Sequence, residues 1–225
     1  MDVTEAYRHG RIKFMGLELL VSPGALVPRP ETELLGHTAV DTVRRMAVSA
    51  AGVIDMCCGS GNLACAIAHH LPSSRIWASD ITEECVRIAR ENVKFHGFPE
   101  RVSVYRGDLF LALTGLNIAR SIDAVVCNPP YISEKRLNGD RAHLVKREPR
   151  EAFAAGPYGL SIHTRVINDA LVFLRPGGVL FLEVGLGQDR QVSALLQRSK
   201  GYEGVRIIRN EAGEGRVVSA SKKAS

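Results

Sequence analysis

The sequence has a single tryptophan, 6% aromatic residues and no C-x-x-C pair among its five cysteines. The odd number of cysteines (Cys57, Cys58, Cys65, Cys85 and Cys127) gives no support to a disulfide framework or a zinc site, and no metal is expected. Most of them lie among apolar or small neighbours and read as small buried hydrophobes. The longest apolar stretches, such as Val179 to Val184, fall far short of the ~18 residues that a membrane span needs. No run of five like charges, repeat or low-complexity tract is present, which excludes a charged tail and a solenoid. The opening MDVTEAYRHG lacks a basic segment followed by an apolar one, so a secretory signal is not expected and a cytoplasmic protein is. No Ser/His/Asp triad can be assembled from ordered spacing.

What is present is ordinary globular material, with 45% hydrophobic and 24% charged residues in a chain of 225. That suffices for one good core, or one core with a small appendage. The net charge of +5 suits an acidic or RNA-bound partner, and a solvated basic surface equally well.

Residues 11–21, RIKFMGLELLV, alternate apolar and polar on either side of Met15-Gly16, the pattern of a β-hairpin with a tight glycine turn. The proline-rich SPGALVPRPETELL comes next, and a helix is expected from about Glu31 to Ala50, with Pro30 suited to its first turn. Thereafter short β runs alternate with helical patterns. VIDM (53–56), RIWASD (75–80), RVSVYRGD (101–108), IDAVVCN (122–128) and VLFLEV (179–184) are the strands. Thr82 can cap a helix from about Glu83 to His96, with Glu83 and Arg87 paired and Gly97 as its stop. A polar loop spans about Ser133 to Tyr158, and a helix about Ser161 to Leu174; RPGG turns the chain. A helix over 187–199 and two antiparallel candidates, VRIIRN and GRVVSA, close it. This alternation is that of an α/β fold with a mostly parallel sheet and helices on both faces, whose ligands bind at the carboxyl ends of the strands. Residues 1–30 read as a hairpin and loop extension, and 31–225 as the main domain.

Three features fall at successive strand ends. The turn Asp55-Met56-Cys57-Cys58-Gly59-Ser60-Gly61 joins the first of these strands to a helix. It does not read G-x-G-x-x-G, because the last glycine would fall on Ala64. A dinucleotide pyrophosphate therefore fits poorly, and a ligand made of adenosine with an amino-acid tail fits better. Asp80 ends the second strand 19 residues past Gly61, the distance suited to gripping ribose hydroxyls. Asp108 ends the third, where its carboxylate or the adjoining backbone can meet an adenine amino group.

With Asn128-Pro129-Pro130-Tyr131 added, the set resembles the Rossmann-like class I methyltransferases that use S-adenosylmethionine. Within them, VSPGALVPRPETELL, DMCCGSG, SDITEECVRIARENV, CNPPYI and EPREAFAAGPYGL are similar to the HemK/PrmC family of release-factor glutamine methyltransferases, in order from about Gly10 to the C-terminus. The resemblance implies a seven-stranded sheet preceded by the hairpin, and S-adenosylmethionine converted to S-adenosylhomocysteine. It implies that Asp55, Cys57, Cys58, Gly59, Ser60, Gly61, Asp80, Ile81, Asp108, Leu109 and Asn128 hold that cofactor. Asn128, Pro129, Pro130 and Tyr131 would hold the target amide of a release factor, with Asn128, Pro129 and Tyr131 as the catalytic corner.

The chain departs from the family pattern in three places. Cys57-Cys58 replace a Gly-Thr pair, which is expected to alter the backbone near the methionine tail, and Tyr158 stands where an aspartate is usual. Bacterial members carry an N-terminal helical domain, whereas about ten residues precede the hairpin here, so a chain without that domain is expected.

An amide nitrogen is a weak nucleophile because its lone pair is delocalised. Two fixed acceptors, the Asn128 side-chain oxygen and the Pro129 carbonyl, can turn that lone pair toward a methyl donor, while the prolines lock φ and Tyr131 offers a flat face. The same corner serves any planar NH2 group, so a small metabolite and the exocyclic amine of adenine in a nucleic acid remain open as acceptors. The basic residues Arg141, Lys146, Arg147 and Arg150 form the most credible patch for the latter. Arg29, Glu31 and Thr32 are further candidates to reach the cofactor tail or the target, with helix capping by Pro30-Glu31 as the plain account; Glu148 and Arg150 are candidates for the substrate mouth, with a solvated charged loop as theirs; Glu183, ending the fifth strand, is a candidate for the pocket. No membrane partner is expected, and oligomeric state is not legible.

Overall fold

The structure, a computed structural model, describes residues 3–132, Asn138, Glu148, Phe153 and 159–224. A short helix α1 (Val3–His9) leads into the hairpin β1 (Arg11–Phe14) and β2 (Leu17–Leu20), with Phe14 level with Leu17. The turn takes positive φ at both Met15 and Gly16, the geometry that suits the twist of a two-residue hairpin. Helix α2 (Pro30–Arg45) starts with Pro30 in its first turn, and the Glu33 carboxylate accepts the Met15 N–H at 2.8 Å, tying the hairpin tip to the helix start.

Next come β3 (Gly52–Met56), α3 (Asn62–His70), β4 (Arg75–Asp80), α4 (Glu83–Phe95), β5 (Val102–Arg106) and β6 (Ile122–Cys127). Then α5 (Ser161–Phe173), β7 (Leu174–Glu183), α6 (Asp189–Arg198), β8 (Tyr202–Arg209) and β9 (Gly215–Lys222) complete the described chain. The main sheet runs β5-β4-β3-β6-β7-β9-β8, parallel from β5 to β7 and antiparallel at β9 and β8. Strands covered on both faces can be apolar throughout. Val53, Ala124 and Val126 pack under α2 and α3, while Ile54, Met56, Val125 and Cys127 face α5 and α6. The hairpin's Phe14, Leu17 and Leu19 join the first of these two cores.

Four local readings change. Helix α2 stops at Arg45 rather than near Ala50, because the chain turns through a left-handed Ala47 to enter β3. Arg87 pairs with Glu91 at 2.6 Å, and Glu83 instead reaches Arg106 at 3.0 Å, since β5 brings a second arginine to the head of α4. RPGG lies inside β7: Ile122 pairs with Leu174 and Ala124 with Val179, so the four residues form an excursion between two paired stretches. Gly178 is needed there because a Cβ would stand 2.7 Å from the Ile122 carbonyl oxygen. The third predicted strand ends at Arg106, and a 3₁₀ turn (Leu109–Leu113) comes after it. Most of the expected loop from 133 to 158, with its four basic residues and Tyr158, lies outside the described residues.

One buried side chain joins hairpin, helix and glycine turn. Asn92 of α4 accepts the Leu20 N–H at 2.7 Å and donates to the carbonyls of Leu20 at 3.0 Å and Ser60 at 2.9 Å. Asn92→Leu keeps the volume and strands all three backbone groups. It should lower unfolding stability by about 2–4 kcal/mol, read as a shift of the urea midpoint at unchanged slope.

Candidate active site

A cavity of about 320 Å³ opens at the carboxyl ends of β3, β4 and β6, a volume within the usual range for small-ligand sites. Its floor is the turn after β3. The Cys58 N–H donates to the Ser79 carbonyl at 3.0 Å and the Gly61 N–H to the Cys58 carbonyl at 2.8 Å, so the turn is held to β4 and to itself. The two glycines do different jobs. Gly59 lines the cavity, and a Cβ there would meet nothing within 4 Å, so its backbone stands open to a ligand. Gly61 does not line the cavity; a Cβ on it would stand 3.0 Å from that of Ala89, so it lets α3 approach α4. Cys57 takes φ +58°, left-handed backbone that suits glycine. The backbone is thus bent here as a glycine would bend it, at a strain cost of about 1–2 kcal/mol.

Asp80 is committed on both oxygens. Its Oδ2 accepts the Gly59 N–H at 2.9 Å, and Oδ1 accepts the Thr82 N–H at 3.1 Å and hydroxyl at 3.3 Å. A carboxylate has room for about four such bonds, so capacity for hydroxyl donors remains. Ile81 is exposed at the cavity mouth beside it. Asp108 and Leu109 form the third corner. Leu109 is left-handed at φ +51°, and Arg165 of α5, which the sequence did not single out, pairs with Asp108 at 2.8 Å.

Asn128 leaves β6 into the same cavity, where Pro130 also lines the wall. Its Nδ2 donates to Thr32 Oγ1 at 3.1 Å, which leaves Oδ1 as the atom to meet an incoming donor. Pro129 and Tyr131 are not on the cavity wall. The Tyr131 ring passes close to Gly185, where a Cβ would stand 2.9 Å from Cδ2, and Gln188 donates to the Tyr131 carbonyl at 3.0 Å. Burial and the nearby Glu183 push the Tyr131 phenol up to about 12.

Behind this corner sits a buried charged group that the sequence only half disclosed. Glu183 was a candidate as a strand end; Arg216, a charge directly before the apolar Val217-Val218, was not singled out. Their nearest atoms, Arg216 Nη2 and Glu183 Oε1, are 3.7 Å apart, and Glu183 Oε2 makes no hydrogen bond. Burial raises the Glu183 carboxyl to about 7, against the opposing pull of Thr32, Arg216 and Tyr131.

Of the remaining cofactor-binding candidates, one falls outside the wall. Asp55 is wholly buried: the pleat of β3 turns it toward α3, where Oδ2 accepts the Ala64 N–H at 2.9 Å. Burial pushes its carboxyl up to about 8. Ser60 lines the cavity with a buried hydroxyl that has no partner. Arg29 lines the cavity and is ion-paired to the buried Glu148, which also accepts the Val27 N–H at 3.0 Å. Cys57, Cys58 and Cys85 line the cavity too; all five cysteines are free, and burial raises the thiols of Cys58 and Cys85. Among the described residues no cluster of three His, Cys, Asp or Glu could hold a metal ion, and no helix is long and apolar enough to cross a membrane.

The Methyltransferase small domain family matches residues 40–156. The chain is 38% identical, over 94% of its own length and 72% of the relative's, to a release factor glutamine methyltransferase of Gloeobacter violaceus. It is 35% identical, over 96% of its length and 74% of the relative's, to one of Moorella thermoacetica. Among solved structures, a release factor-specific protein-(glutamine-N5) methyltransferase from Alicyclobacillus acidocaldarius superposes with a TM-score of 0.50 at 24% identity, covering 91% of this chain and 99% of that one.

The raised Asp55 carboxyl has a defined consequence for stability. The folded chain holds this proton to about pH 8, whereas the unfolded chain releases it near 3.8. Between those values the folded state binds more protons, so this group's contribution to stability falls as pH rises. Asp55→Asn has no charge to bury and can still accept from Ala64. Its melting temperature should decline less than that of the wild type from pH 5 to 8.5; parallel curves would refute the assignment.

Proposed function

The chain belongs to the release factor glutamine methyltransferases, and from that membership we propose that its cavity holds S-adenosylmethionine while the corner 128–131 presents a glutamine side-chain amide of a release factor for N5 methylation. The walls fit the cofactor on two counts. Gly59 leaves open space where any side chain would intrude, and the Ser60 hydroxyl is buried beside it without a partner. Residues 57–60 would take the methionine end, Asp80 the ribose hydroxyls, and the Asp108-Leu109 corner with Ile81 the adenine. When bound, S-adenosylmethionine supplies an electrophilic methyl group and departs as S-adenosylhomocysteine.

The observation that carries the reading is the orientation of Asn128. With Nδ2 given to Thr32, its Oδ1 is the free acceptor on the cavity wall. Oδ1 and the Pro129 carbonyl accept the two N–H bonds of the target amide and so direct its nitrogen lone pair out of the amide plane. The contribution is alignment, and misplacement by about 1 Å costs on the order of 100-fold in rate. Pro129 and Pro130 hold this geometry before the substrate arrives, so little is lost in ordering it. Tyr131 is half-buried and closes the corner on the side away from the cofactor, with its phenol toward Glu183 and Arg216.

Two measurements test this. The protein is incubated with methyl-labelled S-adenosylmethionine and, separately, release factor, tRNA, duplex DNA and small metabolites. Label is expected on a release-factor glutamine; label confined to nucleic acid or metabolite would overturn the acceptor. Asn128→Ala should lower turnover by about 100-fold or more while leaving cofactor affinity by calorimetry within about threefold. An active mutant would remove Asn128 from its role.

A further inference from the structure

Two prolines stiffen the corner 128–131 without aiming it. A pyrrolidine ring fixes φ, leaves ψ free and removes the backbone N–H. Pro129 and Pro130 therefore offer no donor by which the corner can be tied down, and the Pro129 carbonyl is taken up by the target amide. The next side-chain-bearing joint is Tyr131. We propose that Gln188 is a positioning residue for methyl transfer, its side-chain amide clamping the Tyr131 carbonyl to the turn after β7 and so aiming the Pro129 carbonyl and Asn128. The inference rests on the reading of this corner as the holder of the target amide.

Each link is a hydrogen bond of ordinary length. Gln188 Nε2 donates to the Tyr131 carbonyl at 3.0 Å, and its Oε1 accepts the Gly185 N–H at 3.0 Å. A half-turn of this amide would set oxygen against carbonyl and NH2 against N–H, so only one orientation satisfies both ends. The backbone of Gln188 is committed as well. Its N–H donates to the Gly185 carbonyl at 3.0 Å and closes the turn; its carbonyl accepts the Val192 N–H at 3.0 Å and opens α6. Cys127 of β6 is level with Leu182 of β7, so the corner and this turn leave the sheet side by side. The peptide group that Gln188 holds is tied at its other edge too, where the Ile132 N–H donates to the Phe153 carbonyl at 2.9 Å. Without Gln188 that plane would pivot on a single bond.

Two glycines clear the way for the clamp. A Cβ at Gly185 would stand 2.7 Å from Gln188 Oε1 and 2.9 Å from Tyr131 Cδ2. One at Gly159, ahead of α5, would stand 3.0 Å from Gln188 Nε2 and collide with the Tyr131 carbonyl oxygen. The head of α5, the end of β7 and the start of α6 thus converge on one peptide group. A polar residue directly before a helix has an ordinary use as its cap. Gln188 does not serve that use: its side chain makes no capping hydrogen bond to α6. Neither Gln188 nor Tyr131 lines the cavity, so the clamp acts on the corner and leaves the cofactor's place alone.

The full-length protein is tested with Gln188→Glu and Gln188→Met. At about pH 8 the glutamate is an ionised carboxylate, which can still accept from Gly185 and has no hydrogen to give the Tyr131 carbonyl. Methionine keeps the length and loses both bonds. Both variants should lower kcat by about 10–100-fold, with KM for release factor and affinity for S-adenosylmethionine within about twofold. Gln188→Glu should melt within about 4 °C of the wild type, as the loss of one half-buried hydrogen bond predicts. A residue that only closed the turn would leave Gln188→Glu within about twofold of wild-type kcat, and that result would overturn the proposal. So would losses of melting temperature and cofactor affinity that run in parallel with kcat in both variants. Independently of activity, the protein is prepared with 3-fluorotyrosine, and the Tyr131 signal in the ¹⁹F spectrum is identified by its loss in Tyr131→Phe. It should move in both Gln188 variants; an unmoved signal refutes the clamp. If the wild type methylates no glutamine, the function reading fails, and the ¹⁹F signal still decides whether Gln188 holds Tyr131.

Discussion

The pairing that sets Met56 of β3 level with Cys127 of β6 governs the rest of the molecule. Parallel strands end together, and the turns beyond them must leave the sheet side by side. Met56 is also level with Ser79 of β4, and Asp80 with Arg106 of β5. The glycine turn, the acidic strand end, the Asp108-Leu109 corner and Asn128 are thereby delivered to one edge with no further instruction. Slipping β3 against β6 by one residue would reverse the faces of Ile54 and Asp55 and put a carboxyl among the apolar residues under α5. Hydrophobic burial on both faces thus enforces the alignment on which the chemistry relies.

Polar groups near the site are used twice. Asp80 holds Gly59 and Thr82 in place before any ligand is considered. Asn128 is anchored by one end of its amide so that the other is free. Arg29 lines the cavity while its charge is met by a glutamate from the far side of the chain. Each arrangement spares a rearrangement at the moment of binding, which is where preorganised sites gain over flexible ones. The left-handed Cys57 shows the opposite economy: the bend is retained although the residue is poorly suited to it.

Much of this was legible because the signals are local. The hairpin emerged from alternation about Met15-Gly16, the strands from short β runs, and the corner 128–131 from two prolines after an asparagine. Pro30 at the head of α2 and Thr82 at that of α4 stand where their chemistry places them, the Thr82 hydroxyl accepting the Cys85 N–H at 3.2 Å. The readings that failed depended on distant partners. Glu83 has an arginine in register on its own helix, yet Arg106 from β5 competes successfully. Asp55 looks like a ligand-binding residue in the turn motif, and only the pleat shows that it faces α3. Arg216 meets Glu183 because β9 runs antiparallel to β7, a pairing no short window contains. The helix α1 and the 3₁₀ turn are too short to announce themselves by periodicity.

Asn92 gives the fold an unexpected economy of motion. Its one amide closes hydrogen bonds to Leu20 in the hairpin and Ser60 in the glycine turn, segments remote in sequence and different in role. Either one swinging outward leaves part of the buried Asn92 amide without a partner. Hairpin and turn are therefore tied to one residue of α4, and the opening of either carries the cost of unpairing it. The hairpin is an outrigger by topology and a part of the floor by mechanics.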